Sequence, residues 1–212
     1  MPDDTRAHHF QPPHDRPCAG GATVWLTGLP SAGKSTIANA VAARLRVERC
    51  GVEVLDGDLI RENLSRGLGY SREDRAVNIR RIGFVAELLA RNGVIVLVAA
   101  IAPHADVREQ VRTTHAEAGT PYHEVYVSTP VEVAGERDVK GLYARQRAGE
   151  VQGLTGVDDP YEVPERPDLE IPSHEQSVDE SVELLVDHLH RHGLTEQGAT
   201  APETATSTRT AP

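Results

Sequence analysis

Short apolar runs alternate with amphipathic stretches from residue 22 to residue 193. Val24-Trp25-Leu26-Thr27 predicts a first strand, and residues 34–49 carry Ile37, Val41 and Leu45 at the i, i+4, i+8 spacing of one helix face. Residues 52–55 predict a second strand. Ser71-Arg72-Glu73-Asp74 has the form of a capping box, opening a helix with Ile79, Ile82, Val85, Ala86 and Leu89 on one side. Residues 94–100 are apolar at every position, which predicts a central strand covered on both faces. A helix over 106–118, a strand over 124–127 and a last helix over 178–190 complete the series. This alternation predicts an α/β fold: a parallel sheet with helices on both faces. Residues 1–21 are rich in Pro, His and Asp without periodicity, and 194–212 are mostly Thr, Ala and Pro; both read as disordered tails flanking one domain over 22–193. No internal repeat is visible.

Composition sharpens this picture in three places. With 212 residues, 39% hydrophobic and only 4% aromatic, the core must be built from Val, Leu, Ile and Ala. The net charge of −10 argues against a nucleic-acid partner or an anionic membrane surface. That charge is local, however. Residues 158–187 hold 11 acidic residues and one basic, whereas 22–157 hold 17 basic and 16 acidic, so the segment that carries the motifs does not oppose anionic ligands. Only two lysines occur, Lys34 and Lys140, in a chain otherwise biased to arginine, which marks both positions for attention. Two cysteines cannot make a disulfide framework, and Cys50 reads as a buried small residue. No signal-peptide pattern and no apolar run near the roughly 20 residues of a membrane span is found, so the expected compartment is the cytoplasm.

Gly28-Leu29-Pro30-Ser31-Ala32-Gly33-Lys34-Ser35 satisfies G-x-x-x-x-G-K-[ST] after a predicted strand and before a predicted helix. Such a loop turns successive backbone N–H groups inward, and the helix behind it adds the positive end of its dipole, so a polyphosphate finds fixed donors. Gly28, Ser31, Ala32, Gly33, Lys34, Ser35 and Thr36 are the expected ATP contacts. Lys34 would reach the β- and γ-phosphates, and Ser35 would sit on Mg²⁺. The usual second acidic element is missing after residues 94–100. It appears instead as Asp56-Gly57-Asp58 after the second strand, where open α/β sheets bind ligands. One of these carboxylates can hold a metal-bound water while the other takes the proton of an attacking hydroxyl, and the working assignment is Asp58 as candidate base with Asp56 helping place magnesium. The other reading of these residues is a tight turn with solvated acids. With no water-positioning pattern of a GTPase, a small-molecule kinase is favoured over a motor or a switch.

Six stretches then carry a family resemblance: 55–61 (LDGDLIR), 68–75 (LGYSREDR), 78–83 (NIRRIG), 137–143 (RDVKGLY), 147–150 (RAGE) and 154–161 (LTGVDDPY). In order and spacing they resemble the adenylylsulfate (APS) kinase family, over about residues 22–193. The resemblance implies a P-loop nucleotide-kinase fold with a lid, here over about 138–157. It further implies phosphorylation of the 3′-hydroxyl of APS by MgATP to give PAPS, and commonly a homodimer. A sulfurylase of the same pathway is an expected partner. The resemblance places Arg137 near ATP, Lys140 as the lid lysine, and Asp58, Arg61, Tyr70, Arg75, Asn78, Ile101, Ala102, Lys140, Gly153 and Leu154 around the acceptor, with Lys34, Asp58 and Lys140 as the catalytic set. A lid closing only over both substrates would suppress ATP hydrolysis. Arg80 and Arg81 cannot both face one ligand from a single helix.

Several positions depart from the family's pattern. Leu59 replaces an Asn beside the carboxylates. Ala102 stands where some members carry a phosphorylatable serine, which leaves direct in-line transfer from ATP. Tyr70 and Leu154 occupy positions where Phe is usual, and Leu offers an acceptor base no stacking face. The alternative function is therefore a paralogous kinase acting on the 3′-hydroxyl of a different nucleotide or nucleoside. Among weaker signals, His188 and His192 are i, i+4 on a helix, but with the third metal ligand undefined the trio with His190 reads as a solvated helix end. His104 is placed either against the acceptor or in a structural role. Trp25 reads as core.

Overall fold

The computed structural model describes residues 20–48 and 50–195; the expected tails otherwise lie outside the described residues. Five parallel strands form one sheet: β1 (Ala22–Thr27), β2 (Val52–Asp56), β3 (Ile95–Ala99), β4 (Tyr122–Val127) and β5 (Leu169–Ile171). Their order in space is β2-β3-β1-β4-β5. The register sets Leu26 of β1 opposite Ala99 of β3 and Val125 of β4. Among the described residues six helices lie between them, α1 (Lys34–Val47), α2 (Gly57–Leu64), α3 (Arg72–Ala90), α4 (Ala105–Glu117), α5 (Val131–Arg137) and α6 (Leu142–Arg147), and α7 (Val178–Arg191) follows β5.

Because the central strands are buried on both faces, alternate side chains enter two separate cores. On one side Val24, Leu26, Leu97 and Val125 pack with Ile37, Val41 and Leu45 of α1 and Leu185 and Leu189 of α7. On the other, Trp25, Val96 and Val98 pack with Ile79, Ile82 and Ala86 of α3 and Val107 and Val111 of α4. Trp25 is core as expected, its indole N–H donating to the Ala100 carbonyl at 3.3 Å. Cys50 is buried in the first core.

The helix starts have local causes. The Ser71 hydroxyl accepts from Asp74 N at 3.1 Å at the head of α3, and Ser177 with Glu180 forms a full capping box on α7. The carboxylate of Asp56 caps α2 by accepting from Asp58 N at 3.0 Å. Gly83 of α3 faces Val111, and a Cβ there would lie 2.9 Å from a Val111 methyl, so the glycine sets how closely α3 and α4 approach. The carboxyl ends of β1, β2 and β3 thereby open on one edge of the domain, with the loop before α1 and the starts of α2 and α4 around it.

Candidate active site

The loop from β1 to α1 wraps tightly because its residues accept unusual backbone angles. Gly28 has φ +151°, and a Cβ there would meet the Val127 carbonyl oxygen at 2.5 Å, so only glycine fits against β4. Ser31 adopts the left-handed region with φ +61°, a strained geometry of the kind retained where function requires it. Lys34 is buried at the floor of the loop, and its ammonium donates to the carbonyls of Gly28 (2.9 Å) and Leu29 (2.7 Å). Burial, reinforced by the nearby charge of Lys140 and opposed by Asp56, lowers its pKa to about 7. Thr36 lies exposed on the first turn of α1.

The far wall of the loop is built by residues that carry no motif. The Ala32 carbonyl accepts from Ser173 Oγ at 2.6 Å and from Thr129 Oγ1 at 3.3 Å. Arg137 donates to the Ser173 carbonyl at 2.7 Å and to Ser173 Oγ at 3.2 Å. Arg137 thus stands beside the phosphate loop, held there by Ser173, a serine just past β5 that carries no sequence signal.

The two carboxylates take different partners. Asp56, at the end of β2, accepts from Ser35 Oγ at 2.6 Å, so a hydroxyl and a carboxylate meet at the mouth of the loop. These are hard oxygen donors, the ligand chemistry that Mg²⁺ takes. Asp58 is joined by an ion pair to Lys140. The chain's two lysines therefore bracket the acidic pair.

On the acceptor side, Arg61 lies over the exposed ring of Tyr70 at 4.3 Å and donates to the Gly69 carbonyl. Asn78 is 6% exposed, and its Oδ1 is a buried acceptor with no hydrogen-bond partner. Arg75 does not present the open fork expected of it. Its guanidinium donates to the carbonyls of Tyr70 (2.7 Å) and Gly153 (2.6 Å) and to Thr155 Oγ1 (2.8 Å), and pairs with Asp159 at 3.2 Å. It braces α3 against the last residues of the expected lid segment and Asp159 just beyond it. Leu154 is also not open to a ligand: it packs in a small cluster with Ala134 and Tyr143. The Ile101 carbonyl accepts from Thr27 Oγ1 at 2.5 Å, and Ala102, in the left-handed region with φ +47°, is buried with its carbonyl bound by Arg108 at 2.8 Å. His104 takes the structural role, with Nδ1 3.1 Å from Arg72 and 3.5 Å from Glu162. Arg80 and Arg81 both point outward, to Gln110 (3.4 Å) and the Leu64 carbonyl (2.7 Å).

Residues 138–157 are more ordered than a weakly periodic cover implies. Asp138 accepts from the N–H groups of Tyr143 (3.0 Å) and Ala144 (2.8 Å), which fixes the start of α6. Tyr143 is buried and its hydroxyl donates to the Pro30 carbonyl at 3.1 Å, so this segment is pinned to the phosphate loop itself. A six-residue helix is too short to display a helical repeat, which is why periodicity missed it.

The reading of 188–192 as a solvated helix end is corrected. His188 is 2% exposed and faces His123 of β4, because α7 lays this turn onto the sheet rather than into solvent. Among the described residues, no helix is long and apolar enough to cross a membrane.

The family profile described as "Adenylylsulphate kinase" matches residues 20–172. An adenylyl-sulfate kinase of Picosynechococcus sp. is 51% identical over 173 residues, covering 82% of this chain and 96% of that protein. A probable adenylyl-sulfate kinase of Synechocystis sp. is 55% identical over 162 residues, covering 76% and 89%. Among solved structures, the Mycobacterium tuberculosis APS kinase CysC in complex with AMPPNP and APS superposes with a TM-score of 0.78 at 45% identity, covering 81% of this chain and 98% of that one.

Proposed function

From the premise that this chain belongs to the adenylylsulphate kinase family, we propose that it transfers the γ-phosphoryl group of ATP to the 3′-hydroxyl of adenylyl sulfate, giving PAPS and ADP. The observation that carries this reading is the continuous arrangement from the phosphate loop through Ser35 and Asp56 to Asp58 and Lys140, which sets a base two residues past the carboxylate of a metal-type ligand pair.

The loop amides and Lys34 hold the β- and γ-phosphates, and Arg137 flanks them. Ser35 and Asp56 would hold Mg²⁺, which supplies charge neutralisation on the phosphate oxygens. Asp58 accepts the proton of the 3′-hydroxyl as that oxygen attacks phosphorus, in line with departing ADP. Lys140, released from Asp58 by this exchange of charge, compensates the phosphoryl oxygens. Arg61 and Tyr70 offer a cation and an aromatic face, and Asn78 an unpaired amide oxygen, to the acceptor. No hydroxyl stands at residue 102, so transfer is direct.

The test is an ADP-release assay with adenylyl sulfate against AMP, adenosine and other nucleotides, with PAPS identified by anion-exchange chromatography. Saturable turnover with adenylyl sulfate and little with the panel is expected. Turnover on another nucleotide with none on adenylyl sulfate would replace this function by the paralogue's.

A homodimer is part of the proposal. The outer side of α3 exposes Phe84 at 61% together with Leu88, beside Leu64 of α2, more apolar surface than a helix facing water usually carries. Light scattering of the protein and of Phe84→Glu tests it: a dimer that becomes a monomer is expected. The sulfurylase partner and the cytoplasmic setting rest on the reaction's need for adenylyl sulfate and ATP. Co-elution with a sulfurylase tests the first.

A further inference from the structure

The amino ends of the strands lie away from the phosphate loop, and there a second cluster of chemistry-bearing residues comes together. His123 is the second residue of β4, and the last turns of α7 run over it. His188 and His192 stand one helical turn apart, so both rings project from the same face of α7. The Nε2 atom of His188 is 3.1 Å from Nδ1 of His123. The three ring centroids are 4.2 to 5.0 Å apart, and one nitrogen from each ring lies within 4.8 Å of the other two. His188 and His123 are buried, His192 is at the solvent edge.

We infer that His123, His188 and His192 form a binding site for a divalent transition metal of the zinc class, separate from the magnesium position at the phosphate loop. Three neutral imidazoles with an open fourth position are a known ligand set for zinc, and nitrogen donors reject Mg²⁺ and Ca²⁺. Two nitrogens bound to one tetrahedral zinc at its usual bond length stand about 3.3 Å apart. The His123 to His188 separation of 3.1 Å already approaches this, and His192, at the solvent edge, has only to close the remaining distance.

Protonation agrees with the geometry. Nδ1 of His192 lies 2.8 Å from the His188 carbonyl, which can only accept, so Nδ1 carries the hydrogen and Nε2 keeps its lone pair for a metal. Burial pushes the His188 imidazole down to about 4, with His123, His192 and Arg191 acting in the same sense, and lowers His123 likewise. The His188 and His123 rings are therefore uncharged at neutral pH, the form that coordinates. Asp168 is the carboxylate facing the pair, and it is tied to Arg112 at 2.9 Å and to Glu124 N at 2.7 Å, which places a fixed negative charge behind the site. Metal bound here would fasten the C-terminal helix to β4 at the end of the sheet remote from catalysis.

The test uses the full chain without an affinity tag, dialysed against EDTA and titrated with Co²⁺ in excess Mg²⁺, which saturates the oxygen site. One equivalent of cobalt giving the intense visible bands of four-coordinate geometry is expected. The bands are lost in His192→Ala, whose exposed position leaves the fold intact, and in His188→Gln, and they are kept in His190→Gln. Zn²⁺ raises the melting temperature of the parent protein and leaves that of His192→Ala unchanged. The inference is overturned if no intense band forms, if Zn²⁺ does not raise the melting temperature, or if the band survives in both His188→Gln and His192→Ala. It is equally overturned if the band disappears only when His8, His9 and His14 are replaced.

Discussion

Lys34 offers the most direct physical test of the phosphate loop. In the protein alone its ammonium is buried against two loop carbonyls, and its pKa falls from 10.5 to about 7. The sign follows from which form burial penalises. A lysine whose folded pKa lies below its unfolded value destabilises the fold while it is charged, so stability rises as pH increases from about 7 toward 10.5. The two states differ by roughly 5 kcal/mol at full ionisation. A polyphosphate seated in the loop supplies the negative charge that burial lacks and restores the ammonium. ATP binding must then take up about half a proton per site at pH 7 and about 0.9 at pH 8, and the apparent Kd for ATP rises about tenfold per pH unit above 7. Calorimetric titrations at pH 8, with saturating Mg²⁺ in buffers of different ionisation enthalpy, read this as the slope of observed against buffer enthalpy. Lys34→Arg, which stays charged, is expected to bind with a slope near zero. A zero slope or net proton release in the parent protein refutes the reasoning, as does an equal slope in Lys34→Arg.

Asp58→Asn is expected to lower kcat by about 10²–10⁴ while leaving the KM for ATP within a few fold, and steady-state rates that remain near normal would remove Asp58 as the base. Gly83→Ala places a methyl 2.9 Å from Val111 and is expected to cost about 1–3 kcal/mol despite the better helix propensity of Ala; an unchanged or raised urea midpoint contradicts the tight α3–α4 approach. Arg75→Ala removes the brace to Gly153, Thr155 and Asp159, for an expected loss of about 2–3 kcal/mol. Amide exchange over residues 153–159 should accelerate with it, and protection equal to the parent's would show that the brace is dispensable.

What could be read from the chain was what local pattern records. β3 is apolar at every position and the phosphate loop has fixed glycines between a strand and a helix, so both were legible without knowing any partner. β5 was not: three residues with Glu170 in the middle make no pattern, and the strand exists because Val125 and Val127 of β4 offer it a ladder. The short helices α2, α5 and α6 fall below the length at which a repeat shows. Within the site, Lys34 and Ser35 at the start of α1 and Asp56 and Asp58 at and just past the end of β2 were legible as neighbours because each pair follows a predicted strand. Ser173 and Thr129 were invisible because a hydroxyl on a loop announces nothing until Ala32 and Arg137 come within reach. The partner of His188 was missed for the same reason: His123 lies on a strand far away in sequence, and no spacing rule connects them. Arg75 shows the converse limit, since residue type indicated a ligand contact where folding supplied four partners within the protein.

The strand order bears on how the molecule is made. No two strands adjacent in sequence lie side by side except β2 with β3 and β4 with β5, and β1 at the centre waits for both β3 and β4, with Ala22 paired to Ile95 and Thr27 to Tyr126. Parallel ladders of this kind close long loops, so they form slowly and late. During synthesis the first strand leaves the ribosome long before either neighbour exists, as the unpaired apolar run Val24-Trp25-Leu26. The phosphate loop takes its shape from Gly28 lying against the Val127 carbonyl, so nucleotide affinity cannot arise until about three-fifths of the chain has emerged. A nascent chain arrested before β4 should hold no ATP, and it is at this stage that β1 is most in need of a chaperone.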